Sequence, residues 1–145
     1  MMLSMLCAGA LSMARGLPEE VLWLTSYEKA VAAAKEENRL ILADFTGSDW
    51  CGWCIKLKEE VFDTPEFKKW AGKNVVLLEV DFPRGKEQSD ELKKQNQELQ
   101  AKFSIQGYPT ILFLDLKGEK IGRLGYQKGG PKPWIDAARK ITRKS

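Results

Sequence analysis

Histidine is absent from the 145 residues of this sequence. Its absence excludes Ser–His–Asp hydrolysis, Cys–His nucleophilic catalysis and most zinc chemistry, because each of these uses an imidazole as base or ligand. Cysteine is scarce as well, with three residues at Cys7, Cys51 and Cys54. A structural zinc site takes about four ligands. Cys51 and Cys54 therefore supply only half of such a site, and we predict no metal.

The chain also lacks a large excess of charge of either sign. It has 23 Lys and Arg residues against 20 Asp and Glu residues, a net charge of +3. The basic residues are scattered among the acidic ones, so we expect no nucleic-acid partner. With 43% hydrophobic and 30% charged residues, the composition is that of an ordinary globular protein. A domain of this size buries about 68–70% of its unfolded surface, so it does not need disulfides for stability.

No apolar run is long enough to cross a bilayer as a helix, which takes about 20 residues. The apolar N-terminal stretch MMLSMLCAGALSMARG contains Ser12-Met13-Ala14, a small-x-small pattern typical of a signal-peptidase site, but lacks a positively charged start. We predict an exported, periplasmic protein that has lost Cys7 with its signal peptide. Alternatives are a lipid anchor on Cys7, a frayed or truncated terminus, and a cytoplasmic location. The predicted divisions are a signal peptide, a linker and one domain, at residues 1–14, 15–20 and 21–145.

Apolar spacing predicts strands and helices in alternation. A helix over 27–38 follows from a capping box with Thr25 as the N-cap and Glu28 three residues later. The apolar run over 40–45, interrupted only by Asp44, is typical of a buried central strand. The same criteria predict strands over 74–81, 110–116 and 119–124, and helices from Cys51 with a break near Pro65, over 90–103 and over 133–143. This order implies a mixed sheet with helices on both faces, an α/β fold.

The two remaining cysteines lie where the first long strand ends and a helix begins. At a helix N-terminus, free N–H groups and the helix dipole stabilise an anion, so a Cys51 thiolate is favoured there. Cys54 is one helical turn further on, within reach of Cys51, and Gly52 leaves room for a tight connection. Such a pair exchanges disulfides: Cys51 attacks a partner's disulfide, and Cys54 then attacks Cys51 and releases the partner.

Two other readings of the pair stay open at this point. Half of a zinc site would need a second chain or unusual carboxylate ligands. An inert structural disulfide would close too small a loop to restrict the unfolded chain much. We favour the redox pair over both.

Several short motifs carry a resemblance to a known family. They are Ile41–Phe45 (ILADF), Trp50–Cys54 (WCGWC), Gly107–Thr110 (GYPT) and the hairpin glycines Gly118 and Gly125. In these motifs, from about Val21 to the C-terminus, the sequence resembles the thioredoxin-fold thiol–disulfide oxidoreductases. It is most similar to secreted bacterial Dsb-type proteins of the chlamydial kind, which carry FTGSDWCxWC.

The resemblance implies a thioredoxin fold with a cis peptide between Tyr108 and Pro109, lying against the cysteine pair. It implies catalytic roles for Cys51 and Cys54, and a role for Asp44 as the buried acid that takes the proton from Cys54. Two features depart from thioredoxin. The loop between Asp44 and Cys51 is one residue longer, and the neighbouring-strand position that usually holds a lysine is Leu77.

The resemblance also implies a partner-binding surface made by Trp50, Gly52, Trp53, Tyr108 and Pro109, with the Tyr108 backbone free to pair with an extended substrate segment. Because no cation stands at position 53, we do not expect a strongly oxidising couple. The charged insert over residues 84–97 is interpreted as a solvated helical face, with a docking surface as the alternative.

The predicted function is therefore that of a monomeric thiol–disulfide oxidoreductase that reduces or exchanges disulfides in other proteins. It needs no cofactor beyond the redox-active Cys51–Cys54 disulfide. Electrons come from an upstream protein donor, with a membrane thiol relay as the donor if the protein is exported. The alternatives are a protein disulfide oxidase or isomerase, and a redox-silent binding or chaperone module.

Overall fold

A computed structural model of the chain describes residues 20–143, so the predicted signal peptide and nearly all of the predicted linker lie outside the described residues. The elements are, in order, β1 Trp23–Leu24, α1 Tyr27–Glu37, β2 Leu40–Thr46, α2 Gly52–Leu57, a π-helical turn Lys58–Phe62, α3 Pro65–Asn74, β3 Val75–Asp81, α4 Asp90–Lys102, β4 Thr110–Leu114, β5 Lys120–Leu124 and α5 Pro131–Thr142.

The strands form one mixed sheet in the order β1-β3-β2-β4-β5. The first three run parallel, β4 pairs antiparallel with β2, and β5 pairs antiparallel with β4. In the centre, Asp44 of β2 lies level with Glu79 of β3 and with Ile111 of β4. This arrangement confirms the α/β fold with a mixed central sheet.

The start of α1 differs from the prediction by one residue. Ser26, not Thr25, is the N-cap, and its side chain accepts a hydrogen bond from the backbone N–H of Lys29. Both residue types cap well, so the sequence alone placed the cap one residue too early. The helix ends at Asn38, which takes the left-handed conformation with φ of 53° and donates its N–H to the Ala34 carbonyl.

The predicted break near Pro65 is present, but it has more structure than the sequence suggested. After α2 the chain continues through the π-helical turn, whose end is marked by the Asp63 N–H donating to the Lys58 carbonyl. Thr64 then caps α3 by accepting from the Phe67 N–H, and Pro65 occupies the first turn, where no N–H is needed. The helix α2, which begins beside Cys51, is therefore short, and the π-helical turn separates it from the longer helix α3.

Each face of the sheet has its own apolar core, because successive side chains of a strand point to opposite faces. On one face Leu42 packs with Leu57 and Val61, from α2 and the π-helical turn, in a cluster that also includes residues of α3 and α5. On the other face Ala43 packs with Ala30 of α1 and Leu99 of α4. The helix that begins beside Cys51 thus covers the Leu42 face.

Aromatic side chains fill the Leu42 face. Trp134 of α5 is fully buried, its ring contacts Phe62, Phe67 and Phe113, and its Nε1–H donates to the Gly125 carbonyl at 3.1 Å. Trp134 is therefore a core residue. Within residues 20–143, no helix combines the length and the apolar character that crossing a bilayer requires.

Trp134→Ala is expected to lower the free energy of unfolding by about 3–5 kcal/mol, because it leaves a large cavity among aromatic rings. Urea denaturation followed by circular dichroism measures the change. Leu22→Ala is the matched control, since Leu22 is 75% exposed and its truncation should change the value by less than about 0.5 kcal/mol. Similar losses in the two variants would contradict the assignment of Trp134 to the core.

Candidate redox site around Cys51 and Cys54

Cys51 and Cys54 form a disulfide, with Cα atoms 5.2 Å apart. Cys51 is the N-cap of α2, and its Sγ accepts a hydrogen bond from the backbone N–H of Cys54 at 3.2 Å. The residues are 7% and 5% exposed, so both lie just below the surface. An N–H aimed at Sγ stabilises a thiolate once the disulfide is reduced.

Gly52 does not have the steric role that the sequence suggested. A Cβ built at this position would meet no atom within 4 Å, and the residue is exposed. The expectation that Gly52 makes room for the connection is therefore wrong. The tight approach is instead at Gly47, where a Cβ would run into the indole of Trp50.

The loop before Cys51 is hydrogen-bonded to the chain that leaves β3. Ser48 donates its N–H and its hydroxyl to the Asp81 carboxylate, at 3.0 and 2.5 Å. The Trp50 Nε1–H donates to the Phe82 carbonyl at 2.7 Å. Asp49 accepts hydrogen bonds from the backbone N–H groups of Arg84 and Gly85. We call residues 81–85 the clamp segment, because it holds the loop that presents Cys51.

Asp49 makes the outer part of this contact. Its carboxylate accepts from the backbone N–H of Arg84 at 2.9 Å and of Gly85 at 2.7 Å. These hydrogen bonds lower the pKa of Asp49, so it stays ionised. A Cβ at Gly85 would lie 3.1 Å from the Asp49 carboxylate, so glycine suits this approach.

Tyr108 and Pro109 lie beside the same loop. The peptide between them is cis, as the resemblance implies. The Tyr108 ring meets Trp50 edge to face, with ring centres 5.8 Å apart, and lies 5.3 Å from the Phe82 ring. Its hydroxyl accepts a hydrogen bond from Gln100 Nε2 at 2.8 Å. The structure thus brings Trp50 and Tyr108 together, as predicted, although they are far apart in the sequence.

Trp53 lies apart from that pair and is 57% exposed. Its ring contacts Tyr126 with centres 4.9 Å apart, and Lys56 Nζ lies over it at 5.1 Å. The Tyr126 hydroxyl donates to Glu60 Oε2 at 2.6 Å. An exposed indole beside the disulfide fits the predicted partner surface, and Trp50 and Trp53 lie in separate aromatic clusters within it.

Sequence reasoning missed several residues that shape the site. No spacing rule relates Tyr126 to Trp53, or the clamp segment to the cysteines, because these contacts join distant parts of the chain. Only the position of the charged insert, immediately after β3, marked that region for attention. The missed residues include Ser48, Glu60, Asp81, Phe82 and Tyr126.

Asp44 is buried. It lies two residues from Leu42 along β2, so its side chain points to the same face of the sheet, the one that α2 covers. Burial, reinforced by the negative charges of Glu79 and Asp81, raises the pKa of Asp44 to about 8. Its Oδ1 has no hydrogen-bond partner among the described residues. Because of this raised pKa, Asp44 is mostly protonated near neutral pH.

The neighbour of Asp44 on β3 is not Leu77, the position at which thioredoxins usually hold a lysine. Leu77 lies level with Leu42, and the residue level with Asp44 is Glu79. Burial and the nearby Asp81 raise the pKa of Glu79 as well. An acid therefore lies level with Asp44 on the neighbouring strand. Its negative charge strengthens the preference of Asp44 for its protonated form.

A family described as a thioredoxin-like domain matches residues 27–133. The disulfide bond reductase DsbH of Chlamydia pneumoniae is 38% identical over 110 residues, which are 76% of this chain and 66% of DsbH. The thioredoxin-related protein DsbJ of the same organism is 33% identical over 107 residues, 74% of this chain and 31% of DsbJ.

Among solved structures, the DsbH oxidoreductase superposes with a TM-score of 0.83 at 33% identity, covering 93% of this chain and 94% of the other. These matches confirm the thioredoxin fold. This chain spans about two thirds of the length of the curated DsbH and about a third of DsbJ.

The buried acid predicts how stability depends on pH. Because the pKa of Asp44 rises from 3.8 to about 8 on folding, the folded state holds a proton that the unfolded state releases. The stability that this proton contributes to the folded state is complete below pH 4 and is lost as pH rises towards 8. Between pH 5 and 7, the unfolding free energy of the wild type minus that of Asp44→Asn should fall by about 1.4 kcal/mol per pH unit.

Urea titrations of the two disulfide-bonded proteins across this range measure the difference. Asp115→Asn is the control: hydrogen bonds from the backbone lower the pKa of Asp115, so the difference between this variant and the wild type should be flat between pH 5 and 7. The stability that Asp115 contributes is therefore present above pH 4 and is lost as pH falls. A flat difference between wild type and Asp44→Asn would show that Asp44 is ionised in the fold.

Proposed function

This chain belongs to the thioredoxin-like family, and we propose on that premise that it is an enzyme that reduces or exchanges disulfides in other proteins. The observation that supports this most directly is the Cys51–Cys54 disulfide at the start of α2, beside the aromatic contact of Trp50 with Tyr108. The similarity to DsbH, a disulfide bond reductase, supports it.

In the first step the reduced protein attacks its partner. The Cys51 thiolate, stabilised by the Cys54 N–H, forms a bond to one sulfur of the partner's disulfide. The partner's S–S bond breaks, and its second sulfur leaves as a thiolate that takes up a proton. The product is a mixed disulfide between Cys51 and the partner.

In the second step Cys54 releases the partner. Asp44 in its ionised form takes the proton of the Cys54 thiol, and the resulting thiolate attacks Cys51 Sγ. The bond from Cys51 to the partner breaks, the partner's sulfur leaves and is protonated, and the Cys51–Cys54 disulfide forms. Two electrons have passed from the dithiol to the partner's disulfide.

Binding would take place along the aromatic side chains flanking the disulfide. Tyr108, Pro109 and Trp50 form one side of this surface, and exposed Trp53 lies on the other. An extended partner segment that pairs with the Tyr108 backbone would carry its cysteine towards Cys51. Gly52, which is exposed between the two cysteines, leaves the approach to the disulfide open.

The catalytic cycle requires a supply of electrons, because each turnover leaves the Cys51–Cys54 pair oxidised. We propose that a reduced protein dithiol, carried by a membrane relay, regenerates it by the same exchange in reverse. We further propose that the protein acts as a monomer outside the cytoplasm, where disulfides persist in substrates. The cysteine pair itself serves as the redox group.

The roles of the cysteines are tested by reducing insulin with dithiothreitol as the electron source. Cys51→Ser should lower the catalysed rate to the background, because no nucleophile remains for the first step. Cys54→Ser should also stop turnover, and, when it is pre-reduced and mixed with insulin after dithiothreitol has been removed, it should accumulate a covalent mixed disulfide that is visible by non-reducing electrophoresis. Cys51→Ser should accumulate none.

Unchanged reduction by Cys51→Ser would contradict these roles. If Cys51→Ser accumulated the mixed disulfide with insulin instead, Cys54 would be the attacking cysteine and Cys51 the resolving one. A wild-type protein that gives no catalysis with a reducible Cys51–Cys54 bond would support a redox-silent binding module.

The role of Asp44 is tested by the rate of the second step. Asp44→Asn is expected to slow release of the reduced partner about 10- to 100-fold at pH 7, because the variant lacks the base for Cys54. The deficit should shrink above pH 9, where hydroxide removes the proton. Stopped-flow measurement of partner release from the mixed disulfide follows this step.

Asp136→Asn is the control, because it removes an exposed carboxylate on α5. It should leave both the rate and its pH profile unchanged. Equal rates for wild type and Asp44→Asn over the whole pH range would exclude Asp44 as the proton acceptor.

A further inference from the structure

Arg84, in the clamp segment, places a fixed positive charge beside the site. Its guanidinium carbon lies 3.7 Å from the centre of the Trp50 ring, the distance of a stacked cation–π contact. Its backbone N–H is held by Asp49, and the preceding Phe82 carbonyl is held by Trp50. Both the backbone and the side chain of Arg84 are therefore positioned from the loop that presents Cys51.

The carboxylates around the site are already engaged by groups of the protein itself. Asp49 accepts two backbone N–H groups, Glu60 accepts from Tyr126, and Asp81 accepts from Ser48. Asp81 also pairs with Lys86 at 3.2 Å, and Glu60 with Lys56 at 3.9 Å. Asp81 and Glu60 are thus paired with cations, and Asp49 is held by backbone N–H groups.

Arg84 differs from these groups. It is exposed, and no carboxylate of residues 20–143 lies within 4.0 Å of its guanidinium. Stacking on an indole orients the planar guanidinium but does not neutralise it, and its edge donors remain available for a carboxylate. The site therefore presents an uncompensated cation on the Trp50 side.

This cation is next to the surface on which a partner would lie. Trp50 contacts Arg84 through its ring face and meets Tyr108 edge to face. Tyr108 precedes Pro109, the residue that the family resemblance places against the cysteine pair. A partner segment lying along Tyr108 would bring its side chains near the cysteine within reach of Arg84.

We infer that Arg84 is a specificity-determining residue that favours partner proteins carrying an Asp or Glu beside the cysteine under attack. The inference rests on the proposed function, because it concerns partners in disulfide exchange. A rim charge of this kind acts mainly on the association rate and is weakened by salt.

The test uses three short peptides, each with one internal disulfide, that differ only in having Asp, Asn or Lys next to the first cysteine. The measured quantity is kcat/KM for their reduction by the full chain, with dithiothreitol as the electron source. At low ionic strength, wild type should reduce the Asp peptide about two- to fivefold more efficiently than the Asn peptide. The Lys peptide should be reduced less efficiently than the Asn peptide.

Arg84→Gln should bring the Asp to Asn ratio close to one, because the variant lacks the charge that distinguishes the two peptides. Arg84→Lys keeps the charge and should retain a preference of reduced size, because lysine lacks the planar fork. Lys35→Gln, which removes an exposed charge from the last turn of α1, should behave as wild type. In about 1 M salt, where the screening length is about 3 Å, the preference of the wild type should disappear.

A ratio that Arg84→Gln leaves unchanged would overturn the inference, as would a preference that salt does not reduce. So would loss of activity towards all three peptides in Arg84→Gln, which would mean that Arg84 supports the reaction itself. A wild type that reduces none of the peptides would instead defeat the proposed function. Reduction of the Asn peptide by the wild type therefore separates the two failures.

Discussion

The site depends on the hydrogen bonds that tie the loop before Cys51 to the clamp segment after β3. Ser48, Asp49 and Trp50 each contact that segment, so three consecutive residues are held before the chain turns into α2. Because α2 is only six residues long, it has little rigidity of its own. The clamp and the packing of Leu57 against the sheet together fix where Cys51 lies.

Asp44 shows how stability and chemistry oppose each other in this fold. A carboxyl group buried beside Glu79 and Asp81 destabilises the protein when it ionises, and its Oδ1 gains no partner within the described chain. The same environment keeps its proton affinity near that of a thiol, which suits exchange of a proton with Cys54. A residue that is unfavourable for folding at alkaline pH is therefore well matched to the proposed second step.

The two aromatic clusters divide the surroundings of the disulfide by charge as well as by position. Near Trp53, Lys56 lies over the rings, and its charge is partly met by Glu60. Near Trp50, the guanidinium of Arg84 has no such counterpart within residues 20–143. A partner that covers both clusters would therefore meet a cation paired with a carboxylate beside Trp53 and, on the clamp side, a guanidinium that makes no ion pair within residues 20–143.

Local patterns in the sequence determined the strands β2 to β5, most helix boundaries, the placement of Cys51 at a helix start and the resemblance to thioredoxin-fold proteins, because these depend on residues close together along the chain. The two-residue strand β1, Trp23–Leu24, was missed because it is too short to show a pattern. Thr25 and Ser26 could not be told apart as caps, since both side chains offer the same hydroxyl. Only the tertiary structure decided that Glu79 lies level with Asp44, that Gly47 rather than Gly52 is sterically required, and that Arg84 stacks on Trp50. Those contacts arise from strand register and from loops meeting across the fold, which apolar periodicity does not encode.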